Sequence, residues 1–380
     1  MRIAFLETTI EEGKGIPNRA VALAGGLASL GHEVTLLAFR RDRPGLPPNV
    51  RVLPLRALGR LPLPFRAANT SRPALRSLVN ILLQGAIDAL APDVVCVDFP
   101  PLDWYAVHGR GRRKYKVAYT YHGVANPMHY EGAAREARIR NREAILRSAA
   151  GADLVLAVSH HCATELRASG IHAQVLPNGV DTAAFHPDRG ITALRGDAPL
   201  LLHIGRYTQH KGALDLLRAF ARVHREIPDA TLLCFARHES PEYVRRLEAF
   251  IKEENLVGRA FLFRDVYGDL VPALYATADL FISGAQDETF GMTFLEAAAC
   301  GTASVAFNAQ SIPEVVVHGV TGLLAPPGDV DALASRAVEI LRDAPRRRVL
   351  GEAARKHALT FDWNDLSARL DASLRTLVSR

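Results

Sequence analysis

The sequence predicts an α/β fold of two doubly wound, parallel-sheet domains. Short buried apolar runs alternate with helical stretches along the chain, and the alternation restarts near residue 199. A length of 380 residues is enough to fill two cores.

Taken in order, Ile3 to Leu6 reads as a strand, Asn18 to Leu30 as a helix stopped by Gly31, and Val34 to Phe39 as a second strand. That is a βαβ unit. Further strands are expected at Val94 to Val97, Lys116 to Thr120, Leu154 to Val158 and Gln174 to Pro177. Helices are expected between them, including Arg72 to Leu90 and Glu131 to Ala149. Alternation of this kind implies a parallel sheet covered by helices. Pro177-Asn-Gly179 breaks the last strand and Pro187 blocks a regular continuation, so the domain junction is expected near Asp181 to Pro187.

The second series runs Pro199 to Ile204 (strand), Gly212 to His224 (helix), Ala230 to Phe235 (strand), Pro241 to Glu254 (helix) and Ala260 to Phe263 (strand). It continues with Leu270 to Thr277 (helix), Leu280 to Ser283 (strand), Gly291 to Cys300 (helix) and Ser304 to Phe307 (strand). A final helix, Asn364 to Ser379, follows Trp363. Neither a low-complexity linker nor a repeat of solenoid length is visible.

Composition narrows the function classes. With 48% hydrophobic and 23% charged residues the chain is an ordinary globular protein. Apolar stretches such as Leu78 to Leu90 are interrupted by Asn80, Gln84 and Asp88, so no spanning helix is expected. Met1 to Leu6 reads straight into a strand, which predicts a chain without a secretory leader. Cys96, Cys162, Cys234 and Cys300 have no CxxC spacing, so no zinc or redox pair is indicated and reduced thiols in a cytoplasmic setting are expected. The net charge is +6. Arginines cluster early, at Arg40, Arg41, Arg43, Arg60, Arg66, Arg72 and Arg76, then around Arg110 to Lys116. They read either as solvated loops or as a positive field on the first domain.

In parallel sheets of this kind, ligands collect beyond the carboxyl ends of the strands. Gly205-Arg206 follows one predicted strand and Lys211-Gly212 opens the next helix. This pairs a glycine that lets the backbone approach a ligand with two cations suited to a diphosphate. Gly284-Ala-Gln-Asp-Glu288 follows another strand, and Phe290-Gly291 leads into a helix whose free N–H groups can meet an anion. Glu288 lies in the loop and Glu296 about a turn inside the helix. Carboxylates repel phosphate but accept hydrogen bonds from sugar hydroxyls, so both read as hydroxyl clamps on one phosphate-bearing ligand.

With its Glu288, seven intervening residues and Glu296, this segment resembles the retaining, glycogen-synthase-like glycosyltransferases of family four, which have the GT-B fold. Matching stretches span almost the whole chain. They include Gly31-His-Glu-Val34, Tyr121-His122-Gly123, Pro177-Asn-Gly-Val-Asp181, Glu296-Ala-Ala-Ala-Cys-Gly301, Pro313-Glu314 and Gly319-Val-Thr-Gly-Leu323.

The resemblance implies two Rossmann-like domains facing across a cleft. Residues 1–183 would bind the acceptor, 184–358 the nucleotide-sugar donor, and 359–380 would return to brace the first domain, with Trp363 as a packing anchor. It implies configuration-retaining, metal-independent transfer of a sugar to an acceptor hydroxyl. The donor would be a UDP- or GDP-linked sugar, with no tightly bound cofactor. The acceptor would be a glycan, glycolipid or small molecule of cell-envelope or glycoside synthesis, and nucleic acid is not an expected partner.

Residue by residue, Arg206 and Lys211 would neutralise the diphosphate, Glu288 would hold the transferred sugar and Glu296 the ribose. Gly291, Met292 and Thr293 would offer backbone N–H groups. Gly205 and Phe290 would also line the donor site, with Arg264 and Val266 toward the base and Gly15 toward the phosphates. His122, Arg206, Lys211 and Glu288 form the catalytic set, His122 meeting the sugar or the acceptor. Five departures stand out: Gly15-Ile-Pro17 and Gln310-Ser-Ile312 where the family carries glycine pairs, Gly284-Ala285 for Pro-Ser, Ala236-Arg237-His238 where a glycine is common after the second-domain strand, and Arg264 for another glycine.

Other readings are weighed beside these. A nucleotide-sugar isomerase would consume donor without acceptor, and a non-catalytic binder would never release nucleoside diphosphate. Gly13-Lys-Gly15 lacks P-loop spacing. His160-His161-Cys162 follows the helix cap Ser159 and reads as solvated helix rather than metal site. His32 and Glu33 read as turn residues, and His122 also has a structural reading. The basic Leu-Pro segment Leu58 to Arg76 is a candidate contact for an anionic membrane, which would place the protein on the inner face.

Overall fold

In this computed structural model the described residues are 1–10, 15–41, 47–54, 73–98, 102, 106–107, 113–124, 132–194, 196–236, 240–264, 268 and 270–379. The chain divides into two compact units, Met1–Gly179 with Trp363–Arg380, and Val180–Asp362.

The first unit contains β1 (Arg2–Ile10), α1 (Gly15–Ser29), β2 (Glu33–Arg41), β3 (Val50–Pro54), α2 (Pro73–Leu90) and β4 (Val94–Val97). It continues with β5 (Lys116–Tyr121), α3 (Gly132–Gly151), β6 (Leu154–Ala157), α4 (His160–Ala168) and β7 (Gln174–Val175). Its sheet order is β3-β2-β1-β4-β5-β6-β7.

The second unit contains β8 (Leu200–Gly205), α5 (Ala213–Glu226), β9 (Thr231–Ala236), α6 (Pro241–Glu253), β10 (Ala260–Arg264) and α7 (Leu270–Thr277). After these come β11 (Leu280–Ser283), α8 (Met292–Ala299), β12 (Ser304–Phe307), α9 (Ile312–Val315), β13 (Gly322–Ala325), α10 (Val330–Arg342) and α11 (Ala344–Ala358). Its sheet order is β10-β9-β8-β11-β12-β13. Each sheet winds outward in one direction from its first strand and then reverses, which is the doubly wound pattern the alternation predicts.

Adjacent strands within each sheet pair in parallel; Phe5, for example, lies beside both Leu36 and Cys96. Parallel sheets are covered on both faces, so their strands can be apolar throughout. Every residue of β4, β11 and β12 is accordingly buried. Helices show the other period: α5 buries Ala213, Leu216, Leu217, Phe220 and Val223 along one stripe.

The last helix, α12 (Trp363–Val378), belongs to the first unit. Its Leu366, Leu370, Leu374 and Leu377 share one core with Ala20, Leu23, Ala24 and Leu27 of α1, and Trp363 packs at the edge of that core. Burying each leucine stabilises the unit by about 2 kcal/mol. His32 supports the same junction, since its Nε2 lies 2.6 Å from Asp371 and its Nδ1 3.2 Å from the Met1 amino group. The turn reading of His32 is thus a tie between α12 and the start of β1.

Two expectations are corrected. Cys162 is fully buried, although His160 beside it is exposed, so the His160-His161-Cys162 run is not uniformly solvated; Ser159 does cap α4 through its bond from Cys162 N. Helix α1 begins at Gly15 rather than Asn18. Strands β3 and β13 are additional to those the sequence reading named.

Candidate functional site

The second sheet reverses between β8 and β11, and chain leaving neighbouring strands there in opposite directions opens a crevice at their carboxyl ends. Arg206, just past β8, is exposed and has no partner among the described residues. The next residue is anchored: Tyr207 is buried and its hydroxyl donates to the Cys234 carbonyl at 2.6 Å. Gly212 then takes φ +65, and a Cβ there would strike the Gly284 carbonyl. That close approach brings the start of α5 against the loop after β11.

Lys211 thereby reaches Glu288. Its Nζ donates to the Glu288 carboxylate and to the Asp287 carbonyl, each at 2.8 Å, and the two side chains are only 16% and 19% exposed. The Glu288 peptide is held from both sides. Gln310 Oε1 accepts from its N–H at 2.7 Å, and Ser311 Oγ donates to its carbonyl at 2.6 Å.

Helix α8 begins just beyond. Its N-cap, Gly291, has φ +98 and offers no capping side chain, so the first N–H groups, including those of Met292 and Thr293, have no intrahelical acceptor. These groups and the helix dipole favour an anion. Glu296 sits one turn inside, where the buried Tyr275 hydroxyl donates to its carboxylate at 3.0 Å. Burial and that carboxylate's charge push the Tyr275 phenol well above its ordinary value, so it stays a donor.

Other expected donor residues fall as follows. Gly205 ends β8. Phe290 is buried with its ring 6.0 Å from that of Phe361, so its side chain packs and only its backbone is left for a ligand. Arg264 is exposed at the end of β10. Val266 lies outside the described residues, as do residues 11–14 before Gly15. The sequence gives no sign of His203 on β8: it is buried, its Nδ1 is 3.1 Å from the Ile282 carbonyl, and its Nε2 has no partner among the described residues. Burial is the main force pushing its pKa down to about 4, with the Lys211 charge adding to it.

The first sheet reverses between β1 and β4, and a buried charged cluster sits there. Asp98, directly after β4, is 4% exposed, and its Oδ2 lies 3.4 Å from His122 Nε2, directly after β5. Arg19 of α1 is completely buried. Its guanidinium donates to the carbonyls of Pro177 (2.7 Å) and Leu176 (3.3 Å) and to Asn178 Oδ1 (3.1 Å), while its Nε stands 3.9 Å from Asp98.

Glu7 on β1 completes the cluster at 2% exposure, and its Oε1 has no partner among the described residues. Burial first, and then the Asp98 charge, push the Glu7 carboxyl well above the usual range, partly offset by Arg19. Burial also pushes Asp98 up, but bonding and charge from His122, the Arg19 charge and a bond from Thr120 outweigh it, so Asp98 is held low. His122 therefore stands beside an ionised carboxylate. Sequence reading singled out His122 but not Glu7, Arg19 or Asp98, whose separation along the chain leaves no spacing signal.

A concavity of about 450 Å³ lined by Leu200, Asp279, Ala303 and Arg347 lies at the opposite, amino ends of the second sheet's strands. There Arg347 and Asp279 already pair with each other at 3.0 Å. Among the described residues no group of three or more His, Cys, Asp or Glu is arranged to hold a metal ion. No helix among them is long and apolar enough to cross a membrane.

Solved structures share this architecture along nearly all of the chain. Sucrose-phosphate synthase from Thermosynechococcus elongatus superposes with a TM-score of 0.81 at 22% identity, covering 100% of this chain and 99% of that one. HepE from Anabaena, solved with UDP and glucose, gives 0.77 at 21% identity, covering 99% and 100%. At such identities the likeness defines a class, the two-domain α/β proteins of GT-B fold. The family follows from sequence. A profile of Glycosyltransferase Family 4 matches residues 13–184 and one of Glycosyl transferases group 1 matches 185–357, so the chain belongs to the family-four glycosyltransferases.

Among named relatives, a GDP-mannose-dependent alpha-(1-6)-phosphatidylinositol monomannoside mannosyltransferase of Mycolicibacterium smegmatis is 30% identical over 246 residues. That match covers 60% of this chain and 64% of the relative, less than two thirds of its length.

Proposed function

We propose that this protein is a configuration-retaining glycosyltransferase that moves a sugar from a nucleoside-diphosphate sugar to an acceptor hydroxyl without a metal ion. The observation that carries the reading is the grouping of Lys211, Glu288 and the uncapped start of α8 at the reversal point of the second sheet.

The donor's diphosphate would take the Lys211 ammonium in competition with Glu288, and would add Arg206 and the N–H groups of Met292 and Thr293. As the glycosidic bond breaks, negative charge grows on the leaving diphosphate, and these groups stabilise it most where it is greatest. Glu288, released from Lys211, accepts from a hydroxyl of the transferred sugar. Glu296 keeps one oxygen on Tyr275 and offers the other to the ribose. His122 bonds a substrate hydroxyl. The leaving phosphate takes the acceptor proton, which accounts for transfer without a dedicated base.

The family resemblance supports retention of configuration. The Mycolicibacterium relative uses GDP-mannose and the Anabaena structure holds UDP and glucose, so the base is open between the two. A glycolipid acceptor fits the phosphatidylinositol monomannoside in the Mycolicibacterium relative's name, and we place it on the inner face of a membrane. The basic segment Leu58 to Arg76 would contact that membrane, although its first part, through Arg72, and the side chains of the remainder lie outside the described residues.

The test is Lys211→Ala and Glu288→Ala in the full chain, assayed for nucleoside diphosphate release and product formation. Each is expected to lower turnover by about 100-fold to 1,000-fold with an unchanged circular dichroism spectrum. Undiminished turnover in both would sink the proposal. Donor consumed equally fast without acceptor would replace transfer by isomerisation or hydrolysis.

A further inference from the structure

The loop after β12 carries one of this chain's departures from its family, Gln310-Ser-Ile312 in place of a glycine pair. Gln310 has φ +47, a left-handed backbone that a residue with a Cβ adopts only under constraint. The constraint is visible. Its own side chain closes a 2.7 Å bond from the Glu288 N–H, and the neighbouring Ser311 hydroxyl holds the Glu288 carbonyl at 2.6 Å.

This bond also orients the carboxamide. A backbone N–H can be met only by the oxygen of an amide, so the Gln310 oxygen faces Glu288 and its NH2 is at the other end. Gln310 is half-buried, and no described residue accepts from either of those N–H donors. Beside it the Glu288 carboxylate can only accept. A donor and an acceptor carried by one loop pair suit a sugar hydroxyl and its neighbour, since each hydroxyl both gives and takes a hydrogen bond.

We infer that Gln310 is a specificity-determining residue. Its NH2 donates to a hydroxyl of the transferred sugar adjacent to the one held by Glu288, so the site selects donors with free vicinal hydroxyls. A sugar lacking that hydroxyl leaves the N–H donors desolvated and unmet, which is how a polar site rejects a deoxy analogue. The inference rests on the glycosyltransferase reading and assigns a residue that the glutamate pair and the cations leave out.

The experiment measures affinity of the full chain for UDP, GDP, their hexose conjugates and singly deoxygenated analogues of whichever conjugate binds. It compares the unsubstituted protein with Gln310→Gly and Gln310→Glu. Glycine suits φ +47, so Gln310→Gly tests the side chain without straining the fold, and thermal unfolding checks this. Gln310→Glu keeps an oxygen for the Glu288 N–H but has no NH2.

The unsubstituted protein is expected to lose about tenfold affinity when one particular hydroxyl is removed. Both variants should show less than about twofold discrimination at that position while binding the free nucleoside diphosphate normally. Unchanged discrimination in Gln310→Gly overturns the inference, because the side chain then contributes nothing. Full discrimination retained by Gln310→Glu also overturns it, because the side chain then acts through its oxygen and not by donating from an NH2. Failure of every UDP- and GDP-sugar to bind the unsubstituted protein overturns the underlying glycosyltransferase reading, and the inference with it.

Discussion

At the reversal point of the second sheet the polar groups are half-open: an exposed Arg206, a partly buried Lys211–Glu288 pair and an uncapped helix start. At the corresponding point of the first sheet they are sealed, with Glu7, Arg19 and Asp98 almost free of solvent and only the His122 side chain, 11% exposed, nearing the surface. One topology thus supports two uses of charge. In the second unit cations remain available for an incoming anion. In the first, Arg19 and Asp98 are engaged with each other and with neighbouring polar groups, and what they fix is the surroundings of a single imidazole.

The comparison is broken most severely by removing the sealed cation. Arg19→Met is expected to destabilise the first unit by about 3–5 kcal/mol, because Asp98 loses a compensating charge and three acceptors, the Leu176 carbonyl in a buried bond and two in part-buried ones, lose their donor. Chemical denaturation, with hydrogen exchange of the β1 amides to assign the loss, checks this. A loss below about 1 kcal/mol would mean the cluster relaxes or admits water.

The pH dependence sharpens the contrast. His203 is held near 4, below its ordinary 6.5, so the folded state resists binding its proton. Its contribution is fully present above pH 6.5 and is lost as pH falls toward 4, a change of about 3 kcal/mol. Glu7 works in the opposite direction. Its raised folded value means stability is fully present below the unfolded glutamate range and declines as pH rises through the folded value. Hydrogen exchange of β8 amides should therefore speed up between pH 6.5 and 4 after correction for intrinsic rates, and His203→Phe should flatten that response. An unaltered response in the variant would assign the acid sensitivity elsewhere.

The mildest change is Tyr275→Phe, which removes one donor from Glu296 and keeps the ring packing. A loss of about 1 kcal/mol in donor binding is expected, seen as roughly a fivefold rise in donor KM with little change in kcat. A fall in kcat alone would show that Glu296 acts on the reacting sugar and not on the ribose.

Much of this architecture was legible in the chain. The bounds of Leu270–Thr277, Leu280–Ser283 and Ser304–Phe307 match those the sequence predicts; the two strands stand out because they are fully buried apolar runs. Strand β13, Gly-Leu-Leu-Ala, is too short and too bland to stand out, and β3 is interrupted by Arg51 and ends on a proline. The glycines and helix start of the second unit were visible because they are local. Tyr275 against Glu296, Gln310 against Glu288, and the Glu7–Arg19–Asp98 cluster were not, since each joins residues that only the sheet order brings together. Gln310 did leave a trace, as a departure from a glycine pattern whose meaning required its φ.

The return of α12 to the first unit also bears on how the protein is made. Four of its leucines complete the core beneath α1, yet they emerge from the ribosome only after the whole of Val180–Asp362. The second unit can finish folding while the first still waits with an open apolar face, so the order of completion reverses the order of synthesis. During that interval the apolar face of α1 that α12 covers in the finished molecule stands open to solvent.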